Sequence, residues 1–339
     1  MIDAQQVKDL AQEFGIDHVR IATAEPFIDA AARITQQIRA GYYLQSENWY
    51  RRDVNDFCNA RSVLPDARSI IAACQCYLTD EAIDKGTPGN PSGLIARYTW
   101  RNHYADLRKR LRELARVLEE KYGAQYAVYS NGRIAEKPIA QRSGVGYFGK
   151  NSIIINQKLG SWIVLGEIVT NLEITPDSPV GVDCGECTKC IDTCPTHAII
   201  KPYVIDRRLC IQALTNWYGV LPDNIARVWG DRLYGCIDCQ DACPANSNVK
   251  PTPPRTNIGY VGTSISLPEI LAMEEAEYRM KYAHNQITAE WIRFKAIQRN
   301  AIVALGNIRD QKTLPVLEKL AKHQDEVIAQ SAKRAIENF

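Results

Sequence analysis

Apolar and polar residues follow two different rhythms over the first half of the chain. A 3.6-residue rhythm over residues 105–122 predicts an amphipathic helix, because its apolar positions fall on one face. Short apolar runs bounded by turn residues predict five strands: HVRIA (18–22), SIIAACQCYL (69–78), YAVYS (126–130), SIIIN (152–156) and WIVLGEIV (162–169). The last two runs, joined by QKLG, predict a hairpin. This interleaving of helices and strands predicts an α+β domain with a mixed sheet over residues 1–175.

Helical patterns also occupy both ends of the chain. Near the N-terminus the spacing of Val7, Ala11 and Phe14 predicts a helix, and Asp3 with Gln6 forms a capping-box pattern before it. After a proline-rich linker (251–263) the pattern is helical to residue 339. Residues 299–336 have the helix–turn–helix pattern of a HEAT-like repeat. About one and a half repeats are visible, so we expect this α-helical module (264–339) to pack against its neighbour.

The composition is that of a soluble globular protein, with 339 residues, 45% hydrophobic residues and a net charge of +2. No run of 18 apolar residues predicts a transmembrane helix, and the first residues do not resemble a signal peptide. The expected location is therefore the cytoplasm. Because that compartment is reducing, the 11 cysteines indicate metal or cluster ligation, not disulfides.

Eight of the cysteines are concentrated in residues 176–250. The segment CGECTKCIDTCP (184–195) has the C-x2-C-x2-C-x3-C-P spacing of bacterial two-cluster ferredoxins. The segment CIDCQDACP (236–244) has the same ending but lacks a first cysteine, for which Cys210 is the available substitute. In this motif the last cysteine ligates the other cluster. Two [4Fe–4S] clusters follow, one held by Cys184, Cys187, Cys190 and Cys243, the other by Cys194, Cys210, Cys236 and Cys239.

Other patterns exclude several classes of site. A pair of zinc knuckles would also use C-x2-C pairs, but the third cysteine followed by x3-C-P is not typical of them. The glycine motif GVGYFG (144–149) follows a helical stretch and runs into a strand, the reverse of a dinucleotide-binding fingerprint. Neither the D-x-H-x-x-G signature of a histidine-ligated corrinoid nor a G-x-S-x-G nucleophile motif is present. The residues therefore indicate an electron-transfer module joined to a domain of unknown substrate.

The chain resembles the epoxyqueuosine reductase family over nearly its whole length. The stretches that carry the resemblance are ARYTW (96–100), AEKPIAQRSGVGYFGKNS (135–152), GSWIVLGEIVTNLEI (160–174), CGECTKCIDTCPTHAI (184–199), RRLCIQALT (207–215), GVLPD (219–223), GDRLYGCIDCQDACPANS (230–247) and QRNAIVALGN (298–307). Their order along the chain is specific to this family and its close paralogues.

The resemblance implies an oxidoreductase that reduces epoxyqueuosine to queuosine at the wobble position of tRNA. It implies two [4Fe–4S] clusters and a cobalamin bound by the N-terminal domain without a histidine ligand. Matching family motifs place the corrin against Ala96, Arg97, Ser130, Ile154 and Leu165. The implied partners are the tRNA anticodon stem-loop and an external low-potential electron donor such as flavodoxin or ferredoxin, with no membrane. The basic residues Arg293, Lys295 and Arg299 form the stripe of the helical module that would suit tRNA.

The chain departs from the family at the position of its proton donor. Where relatives carry an aspartate, the aligned stretch VYSNG has Ser130, and a serine hydroxyl is a far weaker acid than a carboxyl group. Three alternatives therefore stay open. The chain is an epoxyqueuosine reductase with another proton source (Glu136, Tyr129 or water), a paralogous corrinoid iron–sulfur reductase with reductive-dehalogenase-like chemistry on a different substrate, or a non-catalytic electron-transfer protein. Ser130, together with Phe57 where relatives carry an arginine, favours the second, while the retained helical module favours the first.

Overall fold

A computed structural model describes residues 2–44 and 53–339. Its strands are β1 (His18–Thr23), β2 (Ser69–Cys76), β3 (Gly86–Thr87), β4 (Asn90–Ile95), β5 (Tyr126–Tyr129), β6 (Tyr147–Phe148), β7 (Ile154–Ile155), β8 (Ile163–Thr170), β9 (Ile199–Lys201), β10 (Val204–Ile205), β11 (Arg232–Tyr234) and β12 (Ser264–Ser266). Its α-helices are α1 (Ala4–Glu13), α2 (Ile28–Arg39), α3 (Val54–Phe57), α4 (His103–Tyr122), α5 (Glu136–Ser143), α6 (Lys189–Asp192), α7 (Ile211–Leu214), α8 (Asp223–Ala226), α9 (Asp238–Asp241), α10 (Leu267–Ala272), α11 (Glu275–Lys281), α12 (Phe294–Ile308), α13 (Leu314–Leu320) and α14 (Glu326–Ile336).

A four-stranded sheet in the order β1-β2-β8-β5 forms the centre of the N-terminal region. Its two faces carry separate apolar layers, because side chains alternate along each strand. Val164 and Ile168 of β8 face the layer that includes α1 and the long helix α4. Leu165 and Val169 face the opposite layer, which contains α5 and parts of α2 and α3. The predicted helix at 105–122, the capping box of α1 and the strands β1, β2, β5 and β8 are confirmed.

Two predictions for this region were wrong. The sheet is antiparallel at every pairing, not mixed. The predicted hairpin closes only through the bridge between Asn156 and Gly160. Beyond it the chain diverges, because β7 pairs with β6 while β8 is enclosed between β2 and β5. Because β8 has a partner strand on each side, more of its backbone N–H and C=O groups form hydrogen bonds than they would in a two-stranded hairpin.

A second, smaller sheet in the order β11-β4-β12 joins distant parts of the chain. Strand β4 pairs in parallel with β11 and antiparallel with β12, so this sheet is the mixed one. The strand β4 includes Gly93, where a Cβ atom would lie 2.5 Å from Leu267 and 2.8 Å from Leu233. Such close approach requires glycine. Since β3 also pairs with β4, the N-terminal region contributes two strands to this sheet, and the cysteine-rich and helical regions contribute one each.

The helices after residue 264 pack on that sheet. Helices α12, α13 and α14 begin and end close to the predicted positions. Their core residues, such as Ile302 and Leu305, form one cluster with Trp100, Leu233 and Ile265 of the neighbouring regions. The helical region therefore completes its core against the rest of the chain, as expected for so few repeats.

Arg299 of α12 is fully buried, which contradicts its predicted place in a surface stripe. Its guanidinium donates hydrogen bonds to the carbonyl oxygens of Gly219 (2.9 Å), Leu214 (2.8 Å) and Trp217 (2.6 Å). It lies 5.8 Å from the ring of Trp217 and 5.5 Å from that of Trp229. The cation thus fixes the helical region to the segment that follows Cys210, and this use of its donors explains why it does not face solvent.

Glu81 and Arg101 form an ion pair that provides a test of the fold through pH. The Arg101 side chain is 5% exposed, and its two terminal nitrogens lie 2.6 and 3.0 Å from the Glu81 carboxylate. Hydrogen bonding from Arg101 lowers the pKa of Glu81 to about 2. Because this pKa is depressed, the pair's contribution to stability is present above the ordinary glutamate value and is lost as pH falls toward 2.

Glu81→Gln is therefore expected to lower the free energy of unfolding by about 2 kcal/mol at neutral pH, because the buried guanidinium loses a charged partner. The difference from wild type should shrink as the pH falls from 4.5 toward 2. Thermal unfolding across this pH range measures both effects. Glu173→Gln is the matched control, since Glu173 pairs with Arg68 on the exposed surface. An equal effect of the two substitutions at neutral pH would contradict the expectation.

Candidate active site

The eight motif cysteines lie in two groups. In the outer group, the thiols of Cys190 and Cys243 interact electrostatically with those of Cys184 and Cys187. The turn that presents the first of them is closed by a hydrogen bond from the amide of Cys187 to the carbonyl of Cys184, 3.1 Å long. The short helix α6 then begins and carries Cys190. The two C-x2-C segments face each other through contacts between α6 and α9.

The inner group contains the other four cysteines. Cys239 interacts with Cys236, Cys210 and Cys194, and also with Cys190 of the outer group. Burial raises the pKa of Cys236 to about 12 and raises that of Cys239 as well. Since Cys239 interacts with both sets of thiols, the two groups adjoin one another. The structure therefore brings together the residues that the spacing placed in each group.

The donor set suits iron–sulfur clusters. Within the described residues, no three histidine, cysteine, aspartate or glutamate side chains converge closely enough to hold one metal ion. A four-iron cluster is held by four thiolates distributed around the cube, so single-ion convergence is not what it requires. The amide of Ala198 also donates to the sulfur of Cys194 at 3.3 Å, and hydrogen bonds to the sulfurs tune such clusters.

The outer group lies near the surface and the inner group lies deeper. Three exposed apolar side chains occur in the segments beside the outer group: Val182 (44% exposed), Ile200 (41%) and Tyr203 (39%). The Tyr203 phenol interacts with the Cys184 thiol, so this tyrosine adjoins the outer group itself. The inner thiols are surrounded by more protein than the outer ones, although each keeps some contact with solvent and Cys190 of the outer group is buried.

A deep recess borders the inner group. Tyr98, Tyr104, Glu136 and Lys137 remain in contact with solvent, yet burial dominates the pKa of each. Burial raises the pKa of Tyr98 to about 12 and lowers that of Lys137. Tyr98 and Lys137 both interact with Cys210. Side chains that are densely surrounded by protein but keep contact with solvent lie in a concave part of the surface, and Tyr98 and Lys137 place this recess beside the inner cysteines.

The predicted corrin-lining residues fall into two sets. Ser130, Ile154 and Leu165 are buried together on the α5 side of the sheet. Ala96 and Arg97 lie next to Tyr98 at the end of β4. A Cβ atom on Gly235, just before Cys236, would lie 2.5 Å from that of Ala96. The first set thus borders the sheet, and the second set borders the inner cysteine group.

Ser130 is not placed as a free proton donor. It is 1% exposed, and its hydroxyl donates a 2.6 Å hydrogen bond to the carbonyl oxygen of Leu165. The glycine motif that follows α5 has a packing function. At Gly144 (φ +80°) a Cβ atom would lie 2.3 Å from the carbonyl of Ser178. The segment then enters β6, whose Tyr147 interacts with the outer cysteines. The motif therefore packs the sheet domain closely against the cysteine-rich region.

Glu167 was missed by sequence reasoning. It stands in the middle of the apolar run of β8 and is 1% exposed, and one of its carboxylate oxygens has no hydrogen-bond partner. Burial raises its pKa well above the ordinary value, and the charge of Glu136 raises it further. The available signal was a single acid among eight strand residues that are otherwise apolar, glycine or threonine. Buried charges without partners are rare outside functional sites.

Two further observations concern features outside the site. A separate open recess of about 300 Å³, lined by Arg112, Arg116, Tyr126 and Val128, lies on another part of the surface and contains none of the candidate residues. In the part of the chain that the structure describes, no helix has the length and apolar character needed to cross a bilayer.

Comparison with known proteins gives the family. Residues 183–246 match the model of the 4Fe–4S double cluster binding domain, and residues 58–131 match that described as epoxyqueuosine reductase QueG, DUF1730. The epoxyqueuosine reductase of Staphylococcus aureus is 32% identical over 94% of this chain and 85% of its own. That of Escherichia coli is 30% identical over 98% of this chain and 90% of its own.

Solved structures agree over the same length. A crystal structure of epoxyqueuosine reductase with an epoxyqueuosine-modified tRNA-Tyr stem loop superposes with a TM-score of 0.90, at 31% identity, over 98% of this chain and 89% of that one. The Bacillus subtilis enzyme, described with an aspartate-bearing catalytic loop swung out of the active site, gives 0.87 at 31% identity, over the same shares of the two chains. The chain belongs to the epoxyqueuosine reductase family.

Proposed function

We propose that this protein reduces epoxyqueuosine to queuosine in the anticodon loop of tRNA. The observation that carries the proposal is the recess that ends at the inner cysteine group. A reductase of this family needs its substrate close to the clusters that supply electrons. In the recess, Tyr98 and Lys137 interact with Cys210 of the inner group. The family membership supplies the substrate class.

The recess suits a cobalamin as the second cofactor. Ala96, Arg97, Ser130, Ile154 and Leu165 are the residues we propose to hold it, between the sheet and the inner cysteines. Its lining combines the aromatic rings of Tyr98 and Tyr104 with the polar groups of Glu136 and Lys137, and cofactor sites are concave and carry a small number of placed polar groups. When bound, cobalamin supplies a strongly reducing cobalt centre for opening the epoxide, and the protein contributes positioning and electrostatics.

The protein's own residues set the direction of electron flow. We propose that electrons enter at the outer group, Cys184, Cys187, Cys190 and Cys243, because exposed apolar side chains lie beside it while the inner group adjoins the recess. The exposed apolar residues Val182, Ile200 and Tyr203 suit brief contact with a small donor such as flavodoxin or ferredoxin. Cys239 interacts with thiols of both groups and marks the transfer point between them.

The helical region, which we interpret as a HEAT-like module, is proposed to contact the tRNA. Since Arg299 is buried, the available surface is smaller than the sequence suggested. Lys295 pairs with Asp325 at 2.6 Å, and the guanidinium of Arg293 lies 5.7 Å from the ring of Tyr218. Trp291, 65% exposed, lies two residues before Arg293 and offers a stacking surface for an unpaired base. The domain limits 1–175, 176–250 and 264–339 complete the proposed organisation.

The test is a single-turnover reaction with protein reconstituted anaerobically with iron, sulfide and cobalamin. Chemically reduced protein is mixed with an epoxyqueuosine-modified tRNA-Tyr stem loop, and the nucleosides are analysed by mass spectrometry. We expect conversion to queuosine, together with retention of cobalamin after gel filtration. The same stem loop carrying queuosine is the control for substrate-independent changes.

Each alternative function predicts a different result of this experiment. Retention of both clusters and cobalamin without any queuosine would favour a paralogous corrinoid reductase with another substrate. Retention of the clusters with no cobalamin at all would favour an electron-transfer protein. Either outcome would overturn the proposed function.

A further inference from the structure

The buried acid Glu167 has no structural partner that explains its presence. It lies on β8 opposite Tyr129 of β5, at the centre of the antiparallel sheet. Strand alternation places it on the same face as Leu165, toward α5 and the recess. Among the described residues no hydrogen bond satisfies its Oε1 atom. An ionised carboxylate in such a place would be costly, so the side chain is held as a neutral carboxylic acid.

A second acid, Glu136, interacts electrostatically with Glu167 and borders the recess. It opens α5, and its Oε1 atom accepts a 3.2 Å hydrogen bond from the amide of Gly132. Burial raises the pKa of Glu136, against the backbone hydrogen bonds and Lys137, which lower it. Unlike Glu167 it keeps contact with solvent in the recess. It is therefore an acid that a substrate could reach.

The charged and titratable groups around the pair come from three elements. The Glu136 charge raises the pKa of Glu167 on β8 and that of Tyr104 on α4. Lys137, next to Glu136 on α5, is the nearby cation, and its ammonium donates a 2.8 Å hydrogen bond to the carbonyl of Ser152. The two carboxyl groups thus share a site where both cannot easily be ionised at once, the arrangement that keeps a proton available at neutral pH.

We propose that Glu136 is the acid that protonates the epoxide oxygen and that Glu167 stores the second proton behind it. This inference rests on the proposed function. Removing the oxygen of an epoxide to leave a carbon–carbon double bond consumes two electrons and two protons and releases water. The electrons arrive through the cysteine-bound clusters, and the pair supplies the protons.

The proton balance closes in two steps. As the first carbon–oxygen bond breaks, the oxygen takes the proton of Glu136 and becomes a hydroxyl. As the second breaks, that oxygen leaves as water with the proton that Glu167 passes through Glu136. A proton that enters from solvent through the recess replaces each one that is used, so at least one of the two carboxyl groups stays protonated throughout. The hydroxyl of Ser130 does not enter this path, because its proton is already donated to Leu165.

Glu136→Gln should lower the single-turnover rate by roughly a hundredfold, the usual contribution of general acid catalysis. Glu136→Asp should restore part of it. The wild-type rate should fall as pH rises through the raised pKa of Glu136, at pH values where an ordinary glutamate is already ionised, and this fall should vanish in Glu136→Gln. Glu167→Gln should slow product formation by about tenfold. Glu173→Gln, at an exposed ion pair, is the matched control and should change nothing.

Infrared spectroscopy gives a readout that does not need turnover. The carbonyl band of a protonated carboxylic acid should be present in the reconstituted protein at neutral pH, weaker in Glu167→Gln and absent when both Glu136 and Glu167 are replaced by glutamine, with equal cobalamin content in all three proteins. Full activity of Glu136→Gln, or absence of that band, would overturn this inference and leave the proposed function standing. A hundredfold gain from Ser130→Asp would also overturn it, because it would mean that the recess lacks an acid. An inert wild type would overturn both.

Discussion

Replacing Cys210 with alanine should remove one cluster and abolish epoxyqueuosine reduction. Cys210 is the one motif cysteine that lies outside both C-x2-C segments, and the structure places it with Cys194 and Cys236 in the inner group. Without it the inner cluster keeps three thiolates of four, while the outer group is intact. Iron analysis should fall from about eight to about four per chain. Because the inner group borders the recess, the remaining cluster cannot reduce the substrate site.

Cys58→Ala is the control for loss of a thiol. Cys58 is 2% exposed, and it packs in the apolar layer of the sheet away from both groups. That variant should bind eight iron and turn over like wild type, at a small cost in stability. If Cys210→Ala retained eight iron, or Cys58→Ala lost four, the assignment of cysteines to clusters would be wrong.

Arg299→Met should give the largest loss of stability among single substitutions outside the cluster sites. Methionine fills most of the volume, but it leaves the carbonyls of Gly219, Leu214 and Trp217 without their donor. Each buried acceptor left unpaired costs about 1–3 kcal/mol, so a total of roughly 3–5 kcal/mol is expected. The midpoint of thermal unfolding should fall by roughly 5–10 °C.

Lys319→Met removes a charge of the same sign from the exposed face of α13, and it should change stability by less than about 0.5 kcal/mol. Equal midpoints for the Arg299 and Lys319 variants would show that Arg299 does not hold the helical region in place. Loss of the inner cluster in Arg299→Met would be consistent with its hydrogen bonds to the segment after Cys210.

Local sequence patterns predicted those helices and strands whose structure depends mainly on their own residues. The 3.6-residue rhythm of α4 and the apolar runs of β1, β2 and β8 were sufficient, since burial of one face or of a whole strand leaves a direct mark on the residues. Cysteine spacing predicted two groups of four thiols, and their assignment to two clusters stays a prediction. The pairing of strands was not predictable in this way, because it depends on contacts between residues far apart in sequence.

The errors share a physical cause. The segment NPSGLI of β4 contains proline and glycine and resembles a loop, yet it pairs on both sides, because Gly93 allows Leu233 and Leu267 to approach. Arg299 has the spacing of a surface residue, but three carbonyls and two indole rings enclose it. Glu167 is a single acid within an apolar strand. In each case the partner that determines the outcome comes from a distant part of the chain.

The sheet β11-β4-β12 also constrains the order in which the protein can be made. Strand β4 leaves the ribosome long before its partners, since β11 begins at residue 232 and β12 at residue 264. Until then the residues of β4 beyond its short pairing with β3 have no partner strand, and such an edge promotes aggregation. The last cysteine of the motif, Cys243, emerges between those two strands. Closure of this sheet during synthesis must therefore wait until every cluster ligand has emerged, which gives cluster assembly a defined interval before the sheet is complete.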